Sequence, residues 1–301
     1  MGESEEAIIR ASGDKENMTQ IPSMMDLLKS GMHFGHQKSR WHPKMKPYIF
    51  GVRNGVHILD LERTVEELQK ALDYIKGLAA TGKVILFVGT KRQAQPLVKA
   101  AAESCGMPFL TERWIGGLLT NFDETKQRIK KYKNLKLQIA SGEIEKYTKK
   151  EQLDLIKSVA KMDRYLAGLT NLDKMPDAMF VVDMRVCKTA VNEGLRTNVP
   201  IVGICDTNVN PDQAAYVIPA NDDAVNSIKT ISFLIAEAVN EGKADWEKNK
   251  IAMEKDHKKV EIKPAAFVEK DTSEQSSAVK APAAKPVVKK ERRAMTKESS
   301  I

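Results

Sequence analysis

The sequence predicts an α/β protein built on a doubly wound parallel sheet, with an antiparallel helical hairpin inserted into it. Short, nearly continuous apolar runs alternate with segments of helical periodicity, as in parallel sheets that are covered on both faces. Residues 121–172 break this alternation, because they keep a helical period and contain no strand-like run. The chain has 301 residues, 42% of them apolar, which is enough for one large α/β domain with appendages.

The predicted elements follow from apolar spacing and from glycine and proline punctuation. Gly82, for example, stands where a helix that ends near residue 80 needs its C-terminal cap. Regular strand–helix alternation indicates a sheet of the flavodoxin or Rossmann type. In chain order, we predict a strand at 56–61, a helix at 61–80, a strand at 83–90, a helix at 93–104, a strand at 109–113, a strand at 177–183, a helix at 188–197, strands at 200–205 and 216–219, and a long amphipathic helix at 223–241.

The insertion is predicted to be a coiled-coil hairpin. Apolar residues follow three-, four- and seven-residue steps up to Ser141-Gly142, and the same steps resume from Leu153 to Leu169. Two helices of about 20 residues, each roughly 30 Å long, would be joined by that turn. The α/β domain would then comprise residues 21–120 and 173–243.

Both ends of the chain differ in composition from this domain. Residues 1–20 carry five acids and few apolar side chains, so we predict a mobile extension. Residues 244–301 hold 14 Lys and Arg and 10 Asp and Glu, with Ala/Pro/Lys low complexity, which predicts a disordered tail after an initial helix near 244–259. A basic arm on nucleic acid is the alternative for this tail.

Composition excludes several classes of protein. The three cysteines are scattered, so neither a disulfide framework nor a cysteine zinc site is expected, and a reduced, cytoplasmic location fits. No apolar run approaches membrane-spanning length, and the acidic start does not resemble a signal peptide. The net charge of +8 favours polyanionic partners only mildly.

The strongest anomaly is residues 27–59, which we call the basic strip. It contains six Lys and Arg and not one acid, and Trp41, Tyr48, Phe50, His33, His36 and His42 lie among these cations. Cations neutralise phosphates, and exposed rings stack on unpaired bases, so the strip predicts nucleic-acid binding. For single rings, burial in the core is an equal alternative.

A second acid-free run lies on the first helix of the hairpin. Six cations occur within eleven residues, between 126 and 136. The ordinary interpretation is a solvated helix face, and the sharper one is a track for phosphates, with Lys126, Arg128 and Lys130 as candidates.

Motifs for catalysis are missing. The sequence has no GxxxxGK[ST] phosphate loop, no GxGxxG, no GxSxG and no HExxH, and the turn at Gly89-Thr-Lys-Arg92 is at best half a phosphate loop. We therefore predict no catalytic residues and no required cofactor.

One polar constellation remains at the predicted sheet edge. Asp206 follows one strand, and Asp222 and Asp223 follow the next, so these carboxylates converge where parallel strands end. His36 reaches them if its segment folds over that edge, and this set would suit Zn²⁺ or Mg²⁺. Alternatively, Asp206 and Asp223 cap or approach helix N-termini.

Several blocks together resemble the small-subunit ribosomal protein two family. They include Leu27–Gln37 and Trp41–Met45, Arg53–Leu61 and Phe87–Arg92, Arg113–Phe122, Pro176–Ala178, Asp206–Asn208 and Ile218–Asp223. They run in family order over about three quarters of the chain. The inserted hairpin resembles the bacterial branch, since the archaeal and eukaryotic cytosolic relatives lack it.

The resemblance implies a structural role in the small ribosomal subunit, contact with small-subunit ribosomal RNA and neighbouring ribosomal proteins, and recruitment of ribosomal protein S-one. Two positions depart from the family pattern: His42 stands where Asn is usual, and Cys187 where an acid is usual. By position, the resemblance implies RNA contacts at Lys38, Arg40, Trp41, Lys44, Lys46, Arg53, Lys91, Arg92, Arg113, Trp114, Thr120 and Asn121.

A second hypothesis rests on the fold class alone. It makes the chain a cytosolic α/β enzyme or nucleotide binder that uses Asp206 and Asp223 around a metal. The missing phosphate-loop glycines count against it, and a fold does not by itself confer a function.

Overall fold

The computed structural model describes residues 21–260, with side chains described for residues 21–250. The predicted extension (1–20) and most of the predicted tail lie outside this range. The helices are α1 Met24–Lys29, α2 Leu61–Ala79, α3 Gln95–Ser104, α4 Phe122–Ala140, α5 Lys149–Leu166, α6 Lys188–Arg196 and α7 Val225–Val260. The strands are β1 Phe34–Gln37, β2 Ile49–Arg53, β3 Val56–Leu59, β4 Ile85–Val88, β5 Phe109–Leu110, β6 Ala178–Val182, β7 Ile201–Cys205 and β8 Tyr216–Pro219.

A five-stranded parallel sheet in the order β5-β4-β6-β7-β8 confirms the main fold prediction. The apolar runs at 85–88, 178–182 and 201–205 are buried at every position, because both faces of the sheet are covered. Alternate side chains therefore enter different cores. Phe87 and Phe180 meet edge to face on the side of α2, α3 and α7, whereas Leu86 and Met179 face the side of α6.

The prediction for residues 56–61 needs a correction. This strand, β3, lies not in the parallel sheet but in a second, antiparallel sheet of order β1-β3-β2. The reason is local: Asn54 and Gly55 both have positive φ, 51° and 77°, and join β2 to β3 as a two-residue hairpin. Such a turn connects antiparallel neighbours only, since a parallel pair needs a long crossover.

The last helix is longer than predicted. The sequence indicated separate helices at 223–241 and near 244–259, but α7 runs without interruption over Val225–Val260. Its first half packs into the core through Ile228, Ile231 and Ile235. The proposed end of the domain at residue 243 thus falls inside a helix.

Helices α4 and α5 occupy the stretch that was predicted as the hairpin. They contact each other where the hydroxyl of Tyr132 donates to Asp163 and Lys136 Nζ lies 3.2 Å from the same carboxylate. A capping box formed by Thr148 and Glu151 begins α5. Their arrangement as an inserted coiled-coil arm stays a prediction.

None of the helices within residues 21–260 combines the length and the apolar character needed to cross a membrane.

Candidate nucleic-acid interface and metal centre

The basic strip folds into α1, the antiparallel sheet and the short turns between its strands. Proline at position 43 begins one such turn, which the His42 side chain caps by accepting from the Lys44 amide at 3.3 Å. Only Met45, Leu27, Met32 and a few neighbours turn inward, and the cations stay outside. The exposed candidates of the strip are Lys38, Arg40, Lys44, Lys46 and Arg53.

Two strip residues have partners that limit their freedom. Trp41 is half-buried, with its ring 5.3 Å from that of His57. Lys44 is exposed but pairs with Asp212 from a distant loop. Phe50, in contrast, is 80% exposed, so its ring is not part of the core. Lys29 lies 3.8 Å from Asp26, so two of the six cations are paired. The other four have no acidic partner among the described side chains: Lys38, Arg40, Lys46 and Arg53.

His36 is carried to the edge of the parallel sheet by a close backbone approach. Gly35 lies against Thr207, and a Cβ at this position would come within 2.6 Å of the Thr207 methyl carbon. The His36 amide donates to Thr207 Oγ1 at 2.9 Å. His36 Nδ1 then lies 2.9 Å from Asp206 Oδ2, and its Nε2 lies 3.6 Å from Asp223 Oδ2.

The carboxylates of Asp183, Asp206, Asp222 and Asp223 lie at this sheet edge, and we call them the acidic cluster. Lys91 contacts three of them. Its ammonium lies 3.0 Å from Asp222, 2.5 Å from Asp223 and 3.2 Å from Asp183. Sequence reasoning assigned Lys91 to RNA, but its charge is already balanced by these carboxylates. Asp183 was missed, although it follows β6 as Asp206 follows β7. Its φ of 62° places it in the left-handed region.

Burial and charge shift the cluster's pKa values in different directions. Burial, together with the charges of Asp183 and Asp206, raises the pKa of Asp222 to about 7. Contact with Asp206 raises the pKa of His36, against the effect of its own burial. For Lys91, burial alone would lower the pKa, but Asp223 and Asp222 stabilise the charged form and raise it.

The geometry brings three of the four predicted metal ligands together. One donor atom each from His36, Asp206 and Asp222 lies within 4.8 Å of the others. Asp222 Oδ2 is buried and accepts no hydrogen bond from the described residues. Asp223 stands two residues before the start of α7, and the side-chain oxygen of Asn221 accepts from the amides of Asp223 and Ala224. The alternative that Asp206 and Asp223 serve helix N-termini stays a prediction. Asp206 Oδ1 accepts from its neighbour Thr207.

Residues 113–120 form the second candidate surface, and the indole of Trp114 and several backbone amides of this segment turn inward. Trp114 is 8% exposed and its indole N–H donates to Glu193 at 2.9 Å, so its ring is not available to a base. Glu193, on α6, was not predicted. The signal for it is an acid among the buried positions Ala190, Val191 and Gly194 of one helix face. Arg113, Thr120 and Asn121 remain exposed, as does Arg92 on its own turn.

The helix cations begin directly after this segment. Arg128 and Lys130 are exposed and Lys126 is half-buried, around the inward-facing Ile129 and Tyr132. They have no ion pair within the described part of the chain. Lys133 and Lys136, by contrast, pair with Asp173 and Asp163.

The fold and these surfaces define a class of protein: an α/β protein with an exposed basic strip and a cluster of carboxylates at the edge of its parallel sheet. A family model described as Ribosomal protein S2 matches residues 27–242. The chain is 46% identical to the small ribosomal subunit protein uS2 of Coprothermobacter proteolyticus, over 74% of this chain and 83% of that protein. It is also 46% identical to the uS2 protein of Geotalea uraniireducens, over 73% and 86%. The chain belongs to the ribosomal protein S2 family, in its bacterial type.

Proposed function

We propose that the basic strip binds small-subunit ribosomal RNA and anchors the chain in the small ribosomal subunit. As a member of its family, the chain is a structural component of that subunit, in the cytoplasm, and not an enzyme. One observation carries the RNA proposal: four exposed cations, without acidic partners among the described side chains, lie within 33 residues that contain no acid. Such a surface neutralises phosphates without first breaking internal ion pairs.

The test is lysine acylation of intact small subunits. Lys38 and Lys46 are expected to be protected in the particle and reactive in the free protein. Lys70 and Lys99, surface lysines on α2 and α3, serve as controls and are expected to react in both states. Equal reactivity of Lys38 and Lys46 in the two states would overturn the proposal.

We extend the proposal to the segment after β5. Arg113, Thr120 and Asn121 would contact RNA, and α4 and α5 would form an inserted arm with Lys126, Arg128 and Lys130 as its phosphate track. The contact between Tyr132 and Asp163 supports the pairing of the two helices. Trp114 is left out, since its ring is buried, and Lys91 is left out, since its charge is paired.

Recruitment of ribosomal protein S-one is the partner-specific part of the proposal, and it rests on the family resemblance alone. Small subunits depleted of this chain are expected to lose S-one on sucrose gradients, and added chain to restore it. Retention of S-one by depleted subunits would contradict this part without affecting RNA binding.

We also propose that His36, Asp206 and Asp222 hold a Zn²⁺ or Mg²⁺ ion, with Asp223 beside it. The unpartnered Oδ2 of Asp222 supports this assignment, and the imidazole favours zinc. A bound ion would offset the clustered negative charge and tie β1 to the edge of the parallel sheet.

Elemental analysis of the purified chain tests the metal. We expect about one ion per chain, lost in Asp222→Asn and retained in the control Asp212→Asn, whose carboxylate is exposed and pairs with Lys44. A wild-type chain without stoichiometric zinc or magnesium would remove this claim.

A further inference from the structure

Glu193 is the one buried acid, among the described side chains, that lies outside the cluster at the sheet edge. It is 7% exposed, and no cation of the described part forms an ion pair with it. A buried carboxylate without a cation is costly unless hydrogen bonds replace its hydration. The partners that replace this hydration show what the residue does.

Every hydrogen bond that the described residues make to the Glu193 carboxylate comes from one short segment, residues 114–120. Oε1 accepts from the indole N–H of Trp114 and the amide of Gly117, both at 2.9 Å. Oε2 accepts from the amide of Leu119 at 3.1 Å, and from the amide and hydroxyl of Thr120 at 3.3 and 3.4 Å. Burial alone would raise the pKa of Glu193, but these donors lower it, so the group is an anion at neutral pH.

The segment bound by Glu193 leads directly into α4, the helix that carries Lys126, Arg128 and Lys130. Gly117 has a φ of 84°, and its carbonyl accepts from the Asn121 amide at 2.9 Å and from the Thr125 hydroxyl at 3.4 Å. Helix α4 therefore starts from a loop whose path is set by one carboxylate. Arg113 stands immediately before this loop, and Lys126 and Arg128 stand on the first two turns after it.

We propose that Glu193 is a positioning residue for RNA binding. It does not itself touch RNA; it acts through the Trp114–Thr120 loop, which sets Arg113 and the first turns of α4 in one orientation towards the phosphates. This inference rests on the proposed function of these cations. In this proposal, the buried carboxylate of Glu193 fixes the positions of the cations Arg113, Lys126 and Arg128.

The chemistry of the site restricts what else could stand at this position. Four of the five bonds come from N–H groups and the fifth from a hydroxyl, so the position needs two oxygen acceptors. In Glu193→Gln an amide N–H₂ would face donors of the loop. Glu193→Asp keeps the charge but is shorter by one methylene, so both oxygens would withdraw from the loop.

The experiment compares three variants of the full chain with wild type, using a transcript of the small-subunit ribosomal RNA. The variants are Glu193→Gln, the triple change Arg113→Ala/Lys126→Ala/Arg128→Ala, and both combined. We measure the dissociation constant Kd as a function of salt concentration. The slope of log Kd against log salt concentration falls by about 0.9 for each phosphate contact that is lost. Glu193→Gln is expected to lower that slope by about 1–3 and to change it little further in the triple background.

The outcomes separate this inference from the proposed function. If the triple variant binds as wild type does, the proposed RNA contacts of this segment are wrong. If the triple variant loses slope but Glu193→Gln alone does not, or if Glu193→Gln weakens binding equally in both backgrounds, the positioning role is wrong. Should Glu193→Gln fail to fold, Trp114→Phe removes a single donor and keeps an aromatic ring, and it carries the same coupling test.

Discussion

The basic strip and the 113–120 segment share a sequence feature, since each contains an arginine followed by tryptophan, but the structure uses the two regions in opposite ways. In the strip, Lys38, Arg40, Lys46 and Arg53 are exposed to solvent, and the local fold is a small antiparallel sheet. In the 113–120 segment, the indole of Trp114 and the backbone amides donate to buried Glu193. Arg113, the one charged residue of this segment, is exposed. The strip thus supplies charge, and the segment supplies geometry.

The largest expected effect concerns the internal carboxylate. Glu193→Ala leaves the buried donors of Trp114, Gly117 and Leu119 without an acceptor, and each unsatisfied group costs roughly 1–3 kcal/mol. We expect the free energy of unfolding to fall by about 3–5 kcal/mol in denaturant titrations. Glu112→Ala, an exposed neighbour on the loop side, is the control and is expected to change it by less than about 0.5 kcal/mol. A loss below about 1 kcal/mol for Glu193→Ala would show that water replaces the carboxylate.

The strip is expected to respond in binding and not in stability. Lys38→Ala/Arg40→Ala/Lys46→Ala removes three exposed cations, so the slope of log K against log salt for ribosomal RNA is expected to fall by about 3. The free energy of unfolding is expected to stay within about 0.5 kcal/mol of wild type. The matched control is Lys70→Ala/Lys99→Ala, which removes lysines that pair within their own helices. An unchanged slope for the strip variant would remove the distinction between the two regions.

The acid range separates the two regions further. The pKa of Glu193 lies below its ordinary value of 4.5, so its contribution to stability is complete above that pH and is lost as the pH falls through the lowered pKa. The difference in unfolding free energy between wild type and Glu193→Gln is therefore expected to be constant near neutrality and to shrink below about pH 4.5. Thermal unfolding at a series of pH values measures it. A difference that persists undiminished at the lowest pH would mean that the charge of Glu193 does not contribute.

The smallest expected effect lies within the strip itself. Lys44 pairs with Asp212, whereas Lys46 has no acidic partner in the described part of the chain. Lys44→Ala is therefore expected to weaken RNA binding less than Lys46→Ala. The slopes of log Kd against log salt concentration of the two variants are expected to differ by about 0.5. Asp212→Ala, which frees Lys44, is expected to strengthen binding slightly. Equal losses from the two lysine variants would show that RNA breaks the Lys44–Asp212 pair at no cost.

Much of this architecture was predictable from the sequence. The parallel strands at 85–88, 178–182 and 201–205 lie inside the predicted runs, because a strand that is covered on both faces has to be apolar throughout. The convergence of His36, Asp206 and Asp222 also follows the expected meeting of strand ends at one edge. The antiparallel sheet was missed, although Asn54-Gly55 is a strong hairpin signal.

Two of the predicted RNA contacts have partners that lie far along the chain. Trp114 and Lys91 have the right chemistry for RNA, but Glu193 and Asp222 hold them. Composition counts charges and rings; it does not show whether a distant acid has already paired with them. Glu193 could not be recognised as a functional residue because the five groups that donate to it come from four residues of a loop more than 70 residues earlier.

The sequence alone determined the apolar periodicity, and with it the parallel sheet, its covering helices and the acid-free strip, since these depend on neighbours within a few residues. Tertiary structure alone decided which cations remain free, which carboxylates share an edge and which acid supports the loop before α4. The physical reason is that hydrogen bonds and ion pairs form between groups that the fold, and not the chain order, brings within about 3 Å.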